Sequence, residues 1–239
     1  MIALTFALSD ESRDVLARLH REPGVASRRQ RVATGTFAGV PVTILHTGVG
    51  AAAACRARLT ALLARPQRPD AVIASGYAGG LHADLRAGDL VLDENVSDPK
   101  LTSLARAVLT GCRLHVGAIT TQPRTIESTA DKAALASATG AIAVDMETGW
   151  IAEACRAAGV PLLALRVISD DAHTDFPVPA AIMFDQVKQR PRVVALPLWL
   201  LAHPGHIAPF VRFVRGLAPA RRRLTDALEK VVSKMTNDK

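Results

Sequence analysis

Short apolar runs alternate with amphipathic stretches along the first 185 residues. The apolar runs predict β-strands, and the stretches with apolar residues three or four positions apart predict helices. The predicted strands are Ile2–Leu8, Val42–His46, Ala71–Ser75, Asp89–Leu92, Leu114–Thr120, Ile142–Met146 and Leu162–Ile168. The predicted helices between them include Arg13–His20, Ala51–Ala64, Lys100–Thr110 and Ala130–Ala138. This alternation predicts an α/β fold with a mixed, mostly parallel central sheet flanked by helices.

The pattern changes after Pro179. A helix is indicated near residues 180–188, and an apolar and basic region follows that contains Pro197, Pro204, Pro209 and Pro219. Proline lacks the backbone donor and clashes with the preceding turn of a helix, so we expect short helical pieces rather than one long helix. The sequence therefore predicts a catalytic domain over residues 1–185 and a C-terminal helical, amphipathic and basic extension over residues 186–239.

Length and composition are those of one α/β domain. The chain has 239 residues, of which 49% are hydrophobic, enough for one substantial core and too few for two. No apolar run is long enough to span a bilayer, and the first run lacks a basic leader, so we expect a cytoplasmic protein. The three cysteines, Cys55, Cys112 and Cys155, lack the paired spacing of zinc or redox sites.

The formal net charge of +7 is unevenly distributed, because residues 186–239 hold eleven Lys or Arg against three Asp or Glu. A near-neutral body excludes a nucleic-acid partner, which would require cations around the working face. In residues 193–223, apolar and aromatic side chains such as Trp199 and Phe213 lie beside arginines. This composition fits a peripheral contact with an anionic membrane and equally a helix packed on the domain or on another subunit.

Carboxylates follow two of the predicted strands. Asp145-Met146-Glu147 closes one apolar run, an amphipathic helix follows, and Ser169-Asp170 closes the next run. Open α/β sheets bind ligands outside the carboxyl ends of their strands. We therefore expect these acids to contact a ligand rather than to decorate the surface.

Three further segments follow predicted strands. Ser9 to Arg13 comes after the first strand, Gly48-Val49-Gly50 after the second and Gly76-Tyr77-Ala78-Gly79-Gly80 after the third. Gly48 to Gly50 fits part of a dinucleotide-binding pattern, but Asp70 precedes its strand instead of closing it, which excludes that interpretation. Glycine-rich turns still offer backbone amides to a phosphate or a ribose oxygen.

The order of these segments resembles that of the nucleoside phosphorylase and nucleosidase superfamily. Gly76 to Leu81 with Ala87-Gly88-Asp89 looks like the family's glycine motif, Asp145-Met146-Glu147 like its E-M-E, and Ile168-Ser169-Asp170 like its I-S-D. The resemblance covers about residues 1–172. It implies cleavage of a purine N-glycosidic bond and a homo-oligomeric enzyme.

The resemblance also implies roles for individual residues. Asp170, helped by Ser169, would donate a proton to the purine N7, and Glu147 would accept hydrogen bonds from the ribose hydroxyls while Met146 packs against the sugar. The backbone of Gly76, Tyr77, Ala78 and Gly79 would lie against the substrate. These roles match the chemistry, because bond cleavage builds negative charge on the base and positive charge on the sugar.

The nucleophile is left open between two alternatives. Glu11 matches a glutamate that orients water in the hydrolytic branch, whereas Arg13 with the amides of Gly48 and Gly50 would bind phosphate in the phosphorolytic branch. Ser9, Ala74 and Tyr77 depart from the phosphate-binding pattern. We expect no cofactor other than phosphate, which would be the co-substrate of the phosphorolytic alternative. We also expect no metal ion, because the seven histidines show no metal-ligand spacing.

The predicted activity is release of adenine from a 5′-substituted adenosine. The C-terminal region and the form of the acidic motif resemble the enzymes of hopanoid biosynthesis that act on adenosylhopane, so a lipid nucleoside is the favoured substrate. The alternatives are a nucleosidase acting on methylthioadenosine or S-adenosylhomocysteine and, in a different class, a non-catalytic nucleoside-binding protein.

Overall fold

A mixed sheet forms the centre of the protein. The computed structural model describes residues 1–21, 31–50 and 53–235. Its strands are β1 (Ile2–Phe6), β2 (His20–Arg21), β3 (Val32–Phe37), β4 (Val40–His46), β5 (Ala71–Gly80), β6 (Leu90–Asp93), β7 (Leu114–Val116), β8 (Ile119–Thr121), β9 (Ala143–Asp145), β10 (Leu162–Asp170), β11 (Phe184–Asp185) and β12 (Arg190–Pro191). The main order is β2-β3-β4-β1-β5-β10-β6-β7, and β9 joins β5 to β8.

The central strands β4, β1, β5 and β10 are parallel, whereas β6 runs antiparallel to β10, and β9 antiparallel to β5. The helices are α1 (Arg13–Arg18), α2 (Ala53–Leu63), α3 (Pro99–Val108), α4 (Thr129–Thr139), α5 (Thr148–Ala158), α6 (Ala180–Met183), α7 (Ala195–Ala202) and α8 (Ile207–Lys234). Alternating residues of β1 belong to different buried clusters, one with α8 and one with α2 and α5. This architecture confirms the predicted fold class.

Helix α8 corrects the expectation that prolines divide the C-terminal region into short pieces. It runs through Pro219 for 28 residues, while Pro209 lies in its first turn, where the missing donor has no intrahelical partner. Beyond Pro219, the apolar face of Leu224, Leu228 and Val232 is buried in the same cluster as β1 and β10. The burial of this face offsets the hydrogen bond that Pro219 removes.

The predicted extension therefore has two parts. Residues 220–232 contribute to the main core, whereas α7 and the first turns of α8 leave Leu198, Leu201, Val211 and Val214 exposed. The amphipathic surface expected from the sequence concerns this second part and stays a prediction. No helix within the described ranges combines the length and the apolar character needed to cross a membrane.

Other element boundaries also differ from the sequence prediction. The helix predicted over 180–188 ends at Met183 and gives way to β11, and the run 114–120 divides into β7 and β8. Strand β5 extends through the glycine motif as far as Gly80, because β9 and the end of β10 pair with it there. Residues 51 and 52 of the second predicted helix lie outside the described residues.

Candidate active site

The carboxyl ends of β1, β5, β9 and β10 surround a pocket of about 390 Å³, within the usual range for small-molecule sites. Eight of the residues predicted from the sequence line it: Glu11, Tyr77, Ala78, Gly79, Met146, Glu147, Ser169 and Asp170. Each follows or ends one of these strands. The strand order therefore brings together four segments that are far apart in the sequence.

Glu11 is held by two backbone amides. Its Oε2 accepts a hydrogen bond of 2.8 Å from Leu8 N, and its Oε1 accepts one of 3.0 Å from Tyr77 N. Burial raises the pKa of Glu11, although these amides and Arg166 partly oppose that effect. The result is a fixed carboxyl group whose proton affinity is higher than that of an exposed glutamate, as suits a general base.

Gly76 allows this arrangement although it does not line the pocket. Its φ is +137°, and a Cβ there would lie 2.7 Å from Glu11 Oε1 and 2.8 Å from Arg166 Nη1. Any side chain would displace one of these two charged groups. The glycine is therefore required for the packing of Glu11 rather than for contact with substrate.

Glu147 occupies the opposite side of the acidic cluster. Its Oε1 accepts a 2.7 Å hydrogen bond from Gly50 N. Burial raises the pKa of Glu147, and repulsion by Asp145 raises it further. A buried carboxyl of this kind can accept hydrogen bonds from hydroxyl groups, and once it has lost its proton it stabilises positive charge that develops beside it.

Arg166 neutralises part of this cluster from the middle of β10. Its Nη2 lies 2.7 Å from Asp145 Oδ2, and its Nη1 donates to Ser75 O. Thr148 Oγ1 accepts two further hydrogen bonds, from Nε and Nη2 of Arg166. Asp145 also accepts hydrogen bonds from Thr121 and Thr148. Asp145 and Arg166 thus form a buried pair that supports the start of α5, while Asp145 also lines the pocket.

A β-bulge positions Asp170. The register between β10 and β5 shifts between Ile168 and Asp170, so that Asp170 lies opposite Gly79. Ser169 Oγ is 2.6 Å from Asp170 Oδ1, and Lys132 Nζ is 2.6 Å from Asp170 Oδ2. Bulges often redirect a side chain beside an active site. Both carboxyl oxygens of Asp170 are therefore held in place.

The mouth of the pocket is formed partly by the C-terminal region. Phe213 and Leu217 of α8 line it together with Phe176 and Met183, and the rings of Phe176 and Phe213 meet edge to face. The Tyr77 hydroxyl donates to Leu217 O at 3.3 Å. The apolar C-terminal region is therefore a wall of the site and not a separate appendage.

The residues predicted to bind phosphate are not assembled. Arg13 is largely exposed and pairs with Asp10 at 2.7 Å, and neither Arg13, Gly48 nor Gly50 lines the pocket. The Gly48 amide donates to Ala7 O, and the Gly50 amide is used by Glu147. Because these donors already have protein partners, they form no anion-binding nest of the kind expected from the sequence.

Four pocket or near-pocket residues were not identified from the sequence. They are Lys132, Arg166, Arg124 and Phe213. Arg166 carried a signal, since it is a lone charge in the apolar run of β10, but Lys132 lies in an ordinary alanine-rich helix. Arg124, Thr125 and Ile126, which follow β8, also line the pocket. Within the described residues, no group of three or more His, Cys, Asp or Glu side chains could hold a metal ion.

The raised pKa of Glu147 makes stability depend on pH. Its folded pKa lies above the unfolded value of 4.5, so the native state retains a proton that the unfolded state loses, and stability falls as pH rises through this window. Glu147→Gln does not titrate and keeps an acceptor for Gly50 N. We expect this variant to have a higher Tm than the wild type at about pH 9 and a similar Tm at about pH 4.

Thermal melting across this pH range checks the expectation. Glu153→Gln, at an exposed residue paired with Arg56, is the matched control and should follow the wild-type curve. A Glu147→Gln curve parallel to that of the wild type would show that the pKa of Glu147 is the same in the folded and the unfolded state.

Comparison with known proteins places this geometry in a family. The family model of the phosphorylase superfamily matches residues 1–97 and 92–195. The 5′-methylthioadenosine/S-adenosylhomocysteine nucleosidase of Chromohalobacter salexigens is 29% identical over 203 residues, covering 72% of this chain and 84% of the relative. The corresponding enzyme of Shewanella oneidensis is 32% identical over 173 residues, covering 60% and 72%.

Solved structures show the same fold. The nucleosidase of S. pneumoniae, solved with a transition-state inhibitor, has a TM-score of 0.72 at 20% identity and covers 98% of this chain and 99% of its own. Futalosine hydrolase of Helicobacter pylori has a TM-score of 0.70 at 19% identity, with coverage of 98% and 97%. The chain is therefore an enzyme of the nucleosidase and nucleoside phosphorylase type and belongs to the phosphorylase superfamily.

Proposed function

We propose that this enzyme hydrolyses the N-glycosidic bond of a 5′-substituted adenosine and releases adenine. Methylthioadenosine and S-adenosylhomocysteine are the first substrates to consider, because the curated relatives cited above carry these names. The observation that carries the proposal is the grouping of Glu11, Glu147 and Asp170 around one pocket. These three acids provide one ionisable side chain each for the leaving base, the sugar and the attacking water.

The proposed reaction assigns one step to each acid. As the bond between the ribose C1′ and the purine N9 breaks, its electron pair moves into the base, and Asp170 donates a proton to N7. Glu147 accepts hydrogen bonds from the ribose hydroxyls and stabilises the oxocarbenium-like sugar. Water attacks C1′, and Glu11 accepts its proton.

Water is favoured over phosphate as the nucleophile. Glu11 is fixed by two amides at the pocket, whereas Arg13 points into solvent and the glycine amides are occupied. A phosphate ion would need several donors in this acidic surrounding. Arg124 is the arginine among the lining residues, and a single guanidinium beside five carboxyl groups is a weak anion site.

Adenine release from methylthioadenosine, measured with and without phosphate, tests the proposal. We expect adenine and the free methylthioribose in phosphate-free buffer, with no acceleration when phosphate is added. A strict requirement for phosphate and a sugar 1-phosphate product would instead establish phosphorolysis. Tight binding without any release of adenine would support the non-catalytic alternative, although the buried carboxyl groups of Glu11 and Glu147 are costly for binding alone.

A lipid nucleoside is the second candidate substrate. The observation in its favour is the surface formed by α7 and the first turns of α8, where Leu198, Leu201 and Val214 are exposed beside the pocket wall of Phe213. Arg212 and Arg215 line a groove on α8 together with the apolar side chains of Ile207 and Val211. A large apolar 5′ substituent, such as a hopanoid, would leave the pocket over α8 while the arginines meet anionic headgroups.

Point substitutions test this candidate better than truncation, because removal of α8 would also remove part of the core. We expect Leu198→Ser with Leu201→Ser to weaken binding to phosphatidylglycerol vesicles several-fold, and to slow adenine release from an adenosyl-lipid in those vesicles. Release from methylthioadenosine should not change. Val187→Ser, which removes an exposed valine outside residues 193–223, is the control. Unaltered vesicle binding in the double variant would remove the reason for a lipid substrate.

A further inference from the structure

The strongest unassigned feature is Lys132. This lysine of α4 is completely buried, and its Nζ lies 2.6 Å from Asp170 Oδ2, 2.6 Å from Asp171 O and 3.1 Å from Thr174 O. Its position thus couples α4 to the segment that carries the proposed proton donor. Burying an ammonium group is expensive unless it is paired and hydrogen-bonded, so the choice of lysine at this place requires an explanation.

The three acceptors around Nζ suit two protonation states. An ammonium group donates one N–H to each of them. A neutral amine has two N–H groups, which the two backbone carbonyls accept, and one lone pair, which accepts a hydrogen bond from a protonated Asp170. The proton can therefore lie on either partner without movement of any heavy atom. An arginine, which retains its proton, would not offer this exchange.

We propose that Lys132 and Asp170 hold one proton between them, and that Lys132 is the positioning residue that keeps this proton available for the leaving purine. The proposal rests on the proposed function and goes beyond it by naming the source of the proton. In the reacting state Asp170 is the acid and Lys132 the amine. Asp170 passes the proton to N7 as the glycosidic bond breaks, which leaves a carboxylate beside an amine, and a proton from solvent then restores the pair.

The pair explains how Asp170 stays a proton donor in a site that also holds an ammonium group. An isolated carboxylic acid loses its proton near neutral pH or below, whereas a pair that includes a lysine retains one proton until the lysine deprotonates. Other charged groups face this pair. They are Asp175, which interacts electrostatically with Lys132, and the charged groups that line the same pocket as Asp170, namely Asp10, Glu11, Asp145, Glu147 and Arg124.

The pH dependence of kcat for Lys132→Met tests the inference. In the variant Asp170 alone must hold the proton, so we expect the alkaline limb of kcat to move down by roughly one pH unit or more, and kcat at neutral pH to fall about 10- to 100-fold. Asp171→Asn is the matched control, because the Asp171 backbone carbonyl rather than its side chain contacts Lys132. Its alkaline limb should be that of the wild type.

The alternatives give different curves. If Lys132 were purely structural, Lys132→Met would lower kcat without moving its alkaline limb. If Lys132 only lowered the proton affinity of Asp170, Lys132→Met would move the alkaline limb to higher pH. Either outcome overturns the inference. Lys132→Arg keeps the positive charge but cannot release the proton, and should lose kcat by a similar factor. Thermal melting and binding of an adenosine analogue with carbon in place of N7 verify that each variant is folded.

If both variants fail to fold, NMR of the lysine side chains in the wild type gives the answer. The chain has six lysines, and the Lys132 Cε resonance should titrate together with Asp170 Cγ if they share a proton; independent titration overturns the inference.

The proposed function fails separately, since turnover by Asp170→Asn would remove Asp170 as the donor. An inactive Asp170→Asn with an unmoved alkaline limb in Lys132→Met would overturn the Lys132 inference alone.

Discussion

Asp170→Asn is expected to lower kcat for adenine release about 1,000-fold, within the range that a general acid contributes. The amide keeps the size of the side chain and an oxygen for Lys132 Nζ, but it has no acidic proton to give to N7. Because the substitution leaves the ammonium group of Lys132 without its counter-charge, we also expect a loss of roughly 3 kcal/mol in stability. Steady-state kinetics and chemical denaturation measure the two effects.

The control for Asp170→Asn is again Asp171→Asn, one residue along the chain. Its carboxylate accepts a hydrogen bond from His173 N and does not line the pocket, so kcat should stay within about twofold of the wild type. Asp170→Asn should still bind the substrate, since the sugar contacts are intact. Near-wild-type turnover in Asp170→Asn would assign the donated proton to another group.

Glu11→Gln is expected to reduce hydrolysis about 100- to 1,000-fold while KM changes little. The glutamine oxygen can accept from Leu8 N or from Tyr77 N, but the amide nitrogen cannot replace the second acceptor, and the side chain no longer takes a proton from water. Burial raises the pKa of Glu11, so the wild-type rate should rise with pH as this carboxyl ionises. The variant should lose that rise.

The pH profile of kcat separates this role from a structural one. Glu153→Gln, the same change at an exposed position, should leave both kcat and its pH dependence unaltered. If Glu11→Gln hydrolysed methylthioadenosine at the wild-type rate, the attacking water would have to be activated elsewhere. A variant with low kcat but the wild-type pH profile would indicate that Glu11 only packs against Gly76 and Arg166.

The acids of the site were predictable because their positions follow from local pattern. Glu147 follows β9 and Asp170 ends β10, each after an apolar run, so the sequence indicated that both acids stand at strand ends. Their meeting depends on β9, which runs antiparallel to β5 and pairs with Gly79 and Gly80 at the end of that strand. Glu11 follows β1, which is the parallel neighbour of β5. The predicted fold class holds for the same reason, since strand and helix periods differ throughout the chain.

The C-terminal region shows where local rules fail. Proline positions predicted short pieces, but α8 continues through Pro219 because the following turns bury Leu224, Leu228 and Val231 against the sheet. Helix propensity is a weak preference that tertiary packing can outweigh. The same packing brings Phe213 and Leu217 to the pocket, which no local pattern in residues 186–239 indicated.

The chain's alternation of apolar and polar residues thus determined the fold class and the three carboxylates, since each depends on the spacing of neighbouring residues. Only the folded chain determined that the glycine amides are occupied, that Arg13 faces solvent and that Lys132 holds Asp170. Lys132 and Asp170 are 38 positions apart, and Gly50 and Glu147 are 97 apart. Contacts at such separations follow from how helices and strands pack together, and the spacing of residues along the chain does not predict them.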